Sequence, residues 1–126
     1  MTKVPAKILL VDDSQMVRKK LRQALETKGH SIIEAADGIE GLAKLKEAEG
    51  IQLVLADVNM PNMNGVEMCL KMRENKSFDN VKVFMLTAES SPEMKAKAAL
   101  AKVSAWILKP YDIDKILNAI EKVLSR

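Results

Sequence analysis

Short apolar runs alternate with helical patterns along the whole chain. Five runs predict buried strands at 7–11, 31–35, 53–56, 81–86 and 105–108. After each run, apolar residues recur every three or four positions, which is typical of an amphipathic helix. Strands that are apolar throughout, rather than at alternate positions, are typical of a parallel sheet covered on both faces. The pattern therefore predicts an α/β domain in which five strands alternate with five helices.

The predicted helices have start and stop signals. They begin at about Ser14, Asp37, Val66, Ser91 and Asp112. Asp37 and Glu40 have the spacing of a capping box, and Pro92 occupies a first helical position. Gly29 and Gly50 follow the first two helices, where glycine commonly ends a helix.

Polar side chains follow four of the five predicted strands, at the point where each strand ends. Asp12 and Asp13 follow the first strand, Asp57 the third, Thr87 the fourth and Lys109 the fifth. Binding sites in open parallel sheets lie at the carboxyl ends of the strands. The doubly wound strand order 2-1-3-4-5 puts the first and third strands side by side. We therefore expect the three carboxylates to converge.

Converging carboxylates favour a divalent cation, because like charges otherwise raise each other's pKa. All-oxygen ligands with open water positions favour Mg²⁺. The alternative is that the acids only cap helices. Asp13 could cap the first helix, whereas Asp57 lies a whole loop before the next helix begins.

The distances across the predicted sheet indicate what the other two side chains could do. Neighbouring strands are about 4.8 Å apart, so Thr87 lies one strand from Asp57 and Lys109 lies roughly 10 Å away. An extended lysine could then pair with Asp57 directly, or with a small tetrahedral anion on it. A hydroxyl, an ammonium group and a metal around one carboxylate are typical of phosphoryl transfer to that carboxylate.

Composition narrows the class of protein. The chain has 126 residues, of which 48% are hydrophobic and 29% charged, as expected for one packed domain. Its apolar runs are too short to span a bilayer and its start lacks a signal-peptide pattern, so we expect a cytoplasmic protein without membrane contact. A net charge of +3 with 3% aromatic residues argues against nucleic-acid binding.

Three further residues or clusters have ordinary interpretations. Cys69 is the only cysteine, so no intrachain disulfide can form. His30 follows Gly29 and is expected in a surface turn. The basic cluster at 18–20 lies within a helical pattern and is expected to form a solvated helix face.

Four motifs resemble those of a known family. They are VDD at 11–13, LADVNMPNMNG at 55–65, LTA at 86–88 and LKP at 108–110. Each motif alone is weak, but all four, in order and at strand ends, look like the receiver domain of bacterial two-component response regulators. The resemblance spans the whole chain and implies a flavodoxin-like (βα)5 receiver domain over 1–126, without an output domain. It is strongest to the single-domain chemotaxis regulators of the CheY type, and implies a monomer.

The resemblance implies a phosphorylation site with a metal beside it. Asp57 would accept a phosphoryl group from the phosphohistidine of a sensor histidine kinase. Asp13 and Asp57 would bind Mg²⁺ directly together with the backbone carbonyl of Asn59, and Asp12 would act through water. Such a protein catalyses its own phosphorylation and dephosphorylation, and is a switch rather than a turnover enzyme.

The resemblance also implies roles for residues around the acids. Thr87 would hydrogen-bond the phosphate and move inward, and Lys109 would contact another phosphate oxygen. The Lys109–Pro110 peptide bond would be cis, as only bonds before proline commonly are. Asn59 and Glu89 would tune the lifetime of the aspartyl phosphate.

The output face in this family consists of the fourth helix, fifth strand and fifth helix, where a downstream target would bind. The lysines expected on this face are Lys95, Lys97, Lys102, Lys115 and Lys122. They would suit an acidic or amphipathic partner segment, or they are simply solvated.

The chain departs from the family pattern at two places. Trp106 stands where the family has Tyr or Phe, an aromatic side chain that changes rotamer on activation; the indole N–H needs a partner when it is buried. Lys102 and Val103 stand where Gly-Ala is frequent, and a left-handed non-glycine residue costs roughly 1 kcal/mol, so we expect the fourth helix to end differently. Gly65, by contrast, matches the family and would allow a turn that few other residues can make.

Two other functions use similar chemistry or the same fold. A Mg²⁺-dependent phosphatase of the haloacid-dehalogenase type would also form an aspartyl phosphate, but such enzymes usually carry a second acid where this chain has Asn59. A flavin-binding protein would need a phosphate-binding loop after the first strand, where Asp12 and Asp13 would repel the phosphate.

Overall fold

A computed structural model describes residues 5–125 of the chain. Within this range five strands alternate with five α-helices. The strands are β1 (Lys7–Val11), β2 (Ser31–Ala35), β3 (Ile51–Ala56), β4 (Lys82–Thr87) and β5 (Ala105–Leu108). The α-helices are α1 (Gln15–Glu26), α2 (Gly38–Glu47), α3 (Gly65–Arg73), α4 (Pro92–Leu100) and α5 (Ile113–Leu124). A short 3-10 helix, Lys76–Phe78, precedes β4.

The strands form one parallel sheet in the order β2-β1-β3-β4-β5, which confirms the predicted fold and strand order. β3 begins at Ile51, earlier than the apolar run at 53–56 predicts. An irregularity in its pairing with β1 explains the difference: Lys7 pairs with Ile51, while the next residue of β1 pairs with Leu53. Gln52 is the extra, exposed residue, and its polarity hid the start of the strand.

The three central strands of the sheet, β1, β3 and β4, are buried on both faces, as continuous apolar strands predict. The prediction of a buried strand at 105–108 is wrong, because β5 lies at the edge of the sheet and none of its residues is fully buried. Alternate residues of β1 point to opposite sides: Leu9 and Val11 pack with residues of α2, α3 and α4. Ile8 and Leu10 pack with residues of α1 and α5. This arrangement leaves the carboxyl ends of the strands free of helices, where loops can form a site. None of the helices described between residues 5 and 125 is long and apolar enough to cross a membrane.

Side-chain caps begin the helices where the sequence predicts them. Ser14 accepts a hydrogen bond from the backbone N–H of Val17, at 3.2 Å, and so caps α1. Asp37 caps α2 by accepting from the N–H of Glu40, at 2.8 Å. The Glu40 carboxylate does not complete the predicted box, because it accepts instead from the N–H of Ala36.

The end of α4 contradicts the sequence-based expectation. Lys102 adopts a left-handed conformation, with φ of 58°. Its N–H donates to the carbonyl of Ala99 and the N–H of Val103 donates to that of Ala98, the two bonds of a Schellman motif. The helix therefore ends as it would with glycine. These two hydrogen bonds, together with the burial of Ala101 and Ala98 beneath the turn, hold lysine in a backbone conformation that it disfavours.

His30 lies in a turn after Gly29, but it is not simply a surface residue. Its ring is partly buried, and Nδ1 accepts a hydrogen bond of 3.0 Å from the backbone N–H of Ala6. Burial lowers the pKa of His30, although the charge of Glu121 opposes that change. The histidine thus joins the end of α1 to the chain entering β1.

Candidate functional site

The carboxyl ends of β1 and β3 bring Asp12 and Asp57 together. Val11 pairs with Ala56 in the sheet, so the residues that follow them are neighbours. The N–H of Asp57 donates to the carbonyl of Val11 at 3.0 Å, which continues the pairing beyond the last regular residues. The predicted meeting of the first and third strands is confirmed.

Asp12, Asp13 and Asp57 form an acidic cluster in which one oxygen of each carboxylate lies within 4.8 Å of the others. Asp12 and Asp57 are only 3% and 7% exposed, whereas Asp13 is exposed. Each buried acid has one oxygen held by the backbone two residues later. The N–H of Ser14 donates to Asp12 Oδ1 at 2.9 Å, and that of Asn59 donates to Asp57 Oδ1 at 3.2 Å.

Lys109 binds the other oxygen of each buried acid. Its Nζ lies 2.9 Å from Asp57 Oδ2 and 3.3 Å from Asp12 Oδ2. The sequence allowed Lys109 either to pair with Asp57 directly or to bind a small anion on Asp57, and the structure has the direct ion pair. The contact between Lys109 and Asp12 was not predicted. The N–H of Lys109 donates to the carbonyl of Thr87 at 2.9 Å, which fixes the start of its side chain. The Lys109–Pro110 bond is cis, as the resemblance implied.

Burial and neighbouring charges shift the pKa values of Asp12 and Lys109. Burial raises the pKa of Asp12, and the charge of Asp57 adds to that effect, while Ser14 and Lys109 oppose it. Burial alone would lower the pKa of Lys109, but its hydrogen bond to Asp57 and the charges of both acids outweigh burial and raise it. The ammonium group therefore stays charged at neutral pH.

The cluster fits a hard divalent cation. Three carboxylates face one ammonium group, so two formal negative charges remain uncompensated, which matches the charge of Mg²⁺. All of the donors are oxygen atoms, which Mg²⁺ prefers, and the exposed Asp13 leaves the cluster open to water ligands. Asp12, Asp13 and Asp57 are the residues that could hold the ion.

Thr87 and Trp106 are linked through a loop rather than directly. The hydroxyl of Thr87 is buried and accepts from the N–H of Glu89 at 3.1 Å. The indole Nε1 of Trp106 donates to the carbonyl of the same residue at 3.0 Å. The expectation that the indole N–H has a partner is confirmed. The Glu89 carboxylate accepts from the N–H of Ser91 at 3.1 Å and so helps to order the start of α4.

The loop after Asp57 contains a glycine whose role differs from the one predicted. Gly65 is the first residue of α3 and does not have the left-handed conformation found at Gly29 and Gly50. A β-carbon at Gly65 would lie 2.1 Å from the carbonyl oxygen of Asp57. Close approach, rather than an unusual turn, therefore requires glycine. Asn59 is exposed on the same loop.

Arg18 is a site-adjacent residue that sequence reasoning missed. Lys19 and Lys20 are exposed, as a solvated helix face predicts, but Arg18 is not part of that face. Its guanidinium donates to the backbone carbonyl of Asp12 and pairs with Glu34 of β2 at 2.9 Å. Only the position of Arg18 on the inner side of α1 distinguishes it from its neighbours, and the run of three basic residues concealed that signal.

The face made by α4, β5 and α5 carries the predicted lysines in exposed positions. Between α4 and β5 lies a shallow groove lined by Lys95, Ala98, Val103, Trp106 and Leu108, among others. Leu100, the last residue of α4, is 75% exposed. The face thus combines apolar side chains with a basic border.

The arrangement of acids, threonine and lysine at the strand ends defines a family. The family "Response regulator receiver domain" matches residues 8–121, so the chain belongs to that family. The chemotaxis protein CheY of Treponema pallidum is 37% identical over 124 residues, which cover 96% of this chain and 84% of that protein.

Solved structures agree with this relationship. The chemotaxis protein CheY4 of Vibrio cholerae matches with a TM-score of 0.88 and 35% identity, covering 96% of this chain and 100% of that one. A structure of the CheX-CheY-BeF3-Mg²⁺ complex from Borrelia burgdorferi matches with a TM-score of 0.85 and 32% identity, covering 95% and 90% of the two chains. The protein is therefore a response regulator receiver of the CheY-like kind.

Proposed function

We propose that the chain is a phosphorylation-controlled switch of a chemotaxis-type pathway. In this proposal a sensor histidine kinase supplies the phosphoryl group, Asp57 accepts it, and Mg²⁺ is the cofactor. The observation that carries the proposal is the position of Asp57, which pairs with Lys109 and has a carboxylate oxygen within 4.8 Å of those of Asp12 and Asp13. The similarity to CheY proteins supports the pathway, and Mg²⁺ with BeF3 in the Borrelia complex supports the cofactor and a phosphate-like ligand.

The transfer step follows from the groups at the site. A carboxylate oxygen of Asp57 attacks the phosphorus of a phosphohistidine, and the P–N bond breaks as its electron pair returns to the imidazole. When bound, Mg²⁺ would neutralise charge on the phosphoryl oxygens. Lys109 would exchange its carboxylate partner for one phosphoryl oxygen, and the Thr87 hydroxyl would move to donate to another.

The switch would then act through the face of α4, β5 and α5. Lys109, which pairs with Asp57, donates its backbone N–H to the carbonyl of Thr87. The link then continues from Thr87 through Glu89 to Trp106 in the α4–β5 groove. The exposed lysines beside this groove favour an acidic, amphipathic segment of the downstream target. We also propose that the protein works as a cytoplasmic monomer and does not bind nucleic acid.

The test of the phosphorylation site is an Asp57→Asn variant incubated with acetyl phosphate and Mg²⁺. Intact-mass spectrometry should show one added phosphoryl group on the native protein and none on the variant. An Asp79→Asn variant is the matched control, because Asp79 is an exposed acid at the end of the 3-10 helix. Phosphorylation of Asp57→Asn at the native rate would contradict the assignment.

A switch also differs from a phosphatase in turnover. Our proposal predicts that the protein hydrolyses its own aspartyl phosphate. It should not release more than one phosphate per protein molecule from small phosphoesters. The exposed amide of Asn59 supports this, because an amide cannot act as the second acid of a haloacid-dehalogenase-type enzyme. Sustained multiple turnover on such esters would favour the phosphatase instead.

A further inference from the structure

Arg18 connects three elements at the edge of the acidic cluster. From α1, its Nε pairs with Glu34 Oε1 of β2 at 2.9 Å, and its Nη1 donates to the backbone carbonyl of Asp12 at the end of β1. The other oxygen of Glu34 pairs with Arg22 at 2.7 Å. Only 15% of the Arg18 side chain is exposed, so this geometry is protected from water.

The two partners of Arg18 use the planar fork of its guanidinium. One nitrogen binds the carboxylate and another reaches the carbonyl, and a lysine, with its point charge, could not hold both in fixed directions. The ion pair orients the guanidinium, and the guanidinium in turn restrains the carbonyl. A charge-assisted hydrogen bond of this kind is stronger than one between neutral groups.

The restrained carbonyl belongs to the peptide group that leads into Asp13. Because a peptide group is planar, fixing the oxygen of Asp12 also fixes the direction in which the chain enters Asp13. This matters most for Asp13, because its side chain is exposed, whereas Asp12 and Asp57 are also held by Lys109. The backbone is therefore the main determinant of where the Asp13 carboxylate lies.

We propose that Arg18 is a positioning residue, which orients the Asp12–Asp13 peptide so that the Asp13 carboxylate can reach a divalent cation held by the cluster. Glu34 is the anchor that keeps the guanidinium in place. This role rests on the proposed function only in that the cation is the cofactor named there. It predicts that Arg18, a positively charged residue, increases the affinity for another positive charge.

Charge repulsion alone predicts the opposite change in Mg²⁺ affinity when Arg18 is removed, so the direction of the measured change tests the proposal. Removing a guanidinium near three carboxylates lowers the repulsion felt by a cation and should tighten Mg²⁺ binding if geometry is unimportant. Loss of a residue that orients metal ligands instead weakens binding, typically by about 10- to 100-fold. The direction of the change therefore separates a positioning residue from a nearby charge.

The experiment is calorimetric titration of Mg²⁺ into the native protein, Arg18→Met and Arg22→Met. Arg22→Met is the matched control, because it removes the same charge from the same helix and breaks pairs with Glu34 and Glu26 without touching Asp12. We expect about tenfold weaker binding, or worse, for Arg18→Met, and no weakening for the control. Unchanged or tighter binding by Arg18→Met would overturn the proposal.

Arg18→Lys provides a second test in which net charge is conserved. It should also weaken Mg²⁺ binding, though less than methionine does, and it keeps the proposal testable if Arg18→Met does not fold. The amide resonance of Asp13 in metal-free protein is an independent readout: Arg18→Met and Arg18→Lys should shift it, and Arg22→Met should not. Failure of native protein to bind Mg²⁺ would refute the proposed cofactor, whereas an unshifted Asp13 amide would refute the role of Arg18 alone.

Discussion

At the scale of single residues, the site depends on close approaches that leave no room for substitution. The clearest is Gly65, whose α-carbon faces the backbone of Asp57 so closely that a β-carbon would lie 2.1 Å from the Asp57 carbonyl oxygen. Gly65 also donates its N–H to the carbonyl of Val58 at 3.1 Å, so it cannot simply move away. The beginning of α3 and the backbone of Asp57 are therefore one rigid unit.

We expect Gly65→Ala to destabilise the protein and to impair the site together. Relieving the overlap must displace backbone at Asp57, which should lower the unfolding free energy by about 3 kcal/mol and slow phosphorylation by acetyl phosphate. Denaturant unfolding and mass spectrometry measure the two effects.

The control for this prediction is Gly50→Ala. Gly50 has φ of 82°, and no atom lies within 4 Å of the place that a β-carbon would take, so only backbone strain of about 1 kcal/mol is expected there. Its phosphorylation rate should remain native. Equal effects of the two variants on that rate would show that the contact with Asp57 is unimportant.

At the scale of elements, sequence patterns predicted most boundaries because they reflect local physics. Ser14 and Asp37 cap helices through contacts within a few residues, and continuous apolar runs are typical of the strands of a covered parallel sheet. The same reasoning placed Asp12, Asp57 and Lys109 at one edge of the sheet. It failed where the packing of one element against another decides the outcome, as in the irregular β1–β3 pairing and the contact between Arg18 of α1 and the carbonyl of Asp12 at the end of β1.

The end of α4 is a failure of a different kind, because hydrogen bonds within residues 98–103 decide it, and it leads to a prediction. Lys102→Gly should raise the unfolding free energy by about 1 kcal/mol, because glycine adopts the left-handed conformation of this residue without strain. Thermal unfolding measures this as a rise in Tm of a few degrees. The same substitution at Lys97, an exposed position inside α4, should instead lower stability by about 1 kcal/mol. A loss of stability in Lys102→Gly would contradict the interpretation of this helix end.

We expect His30 to make the stability of the junction between α1 and β1 depend on pH. Its folded-state pKa is lowered chiefly by burial, and its unfolded value is about 6.5. The unfolded chain therefore binds a proton more readily, so stability is fully present above about pH 6.5 and falls as the pH decreases below it. Protonation of Nδ1 would also turn the acceptor for the Ala6 N–H into a donor.

We expect the native protein to lose more stability between about pH 7.5 and pH 5.5 than a His30→Asn variant does, although the variant is less stable at the upper pH. Denaturant unfolding at several pH values gives the slope of the unfolding free energy against pH for each of the two proteins. Comparing slopes removes the contributions of other titrating groups, which both proteins share. Parallel slopes would show that His30 does not titrate differently on unfolding.

At the scale of the whole molecule, the sheet order places the acidic cluster and the basic face of α4, β5 and α5 on opposite sides of β4. Lys109 and Trp106 both belong to the β5 region, so one edge strand contributes to the site and to the face. Glu89 connects Thr87 to Trp106. Its carbonyl accepts a hydrogen bond from the indole N–H of Trp106, and its own N–H donates to the Thr87 hydroxyl. A movement of the Thr87 hydroxyl towards a phosphoryl group must break or displace its bond to Glu89, and with it the loop that holds the indole.

Trp106 should therefore report activation by its fluorescence. It is the single tryptophan of the sequence, so any change in emission on adding Mg²⁺ and beryllofluoride comes from this side chain. The indole N–H bond to the Glu89 carbonyl makes the emission sensitive to displacement of the loop. Asp57→Asn should bind no beryllofluoride and show no change, and Thr87→Ala should bind it with a smaller change. A native spectrum that stays constant, with beryllofluoride binding confirmed by fluorine NMR, would mean that the loop moves without the indole and that output passes through α4 alone.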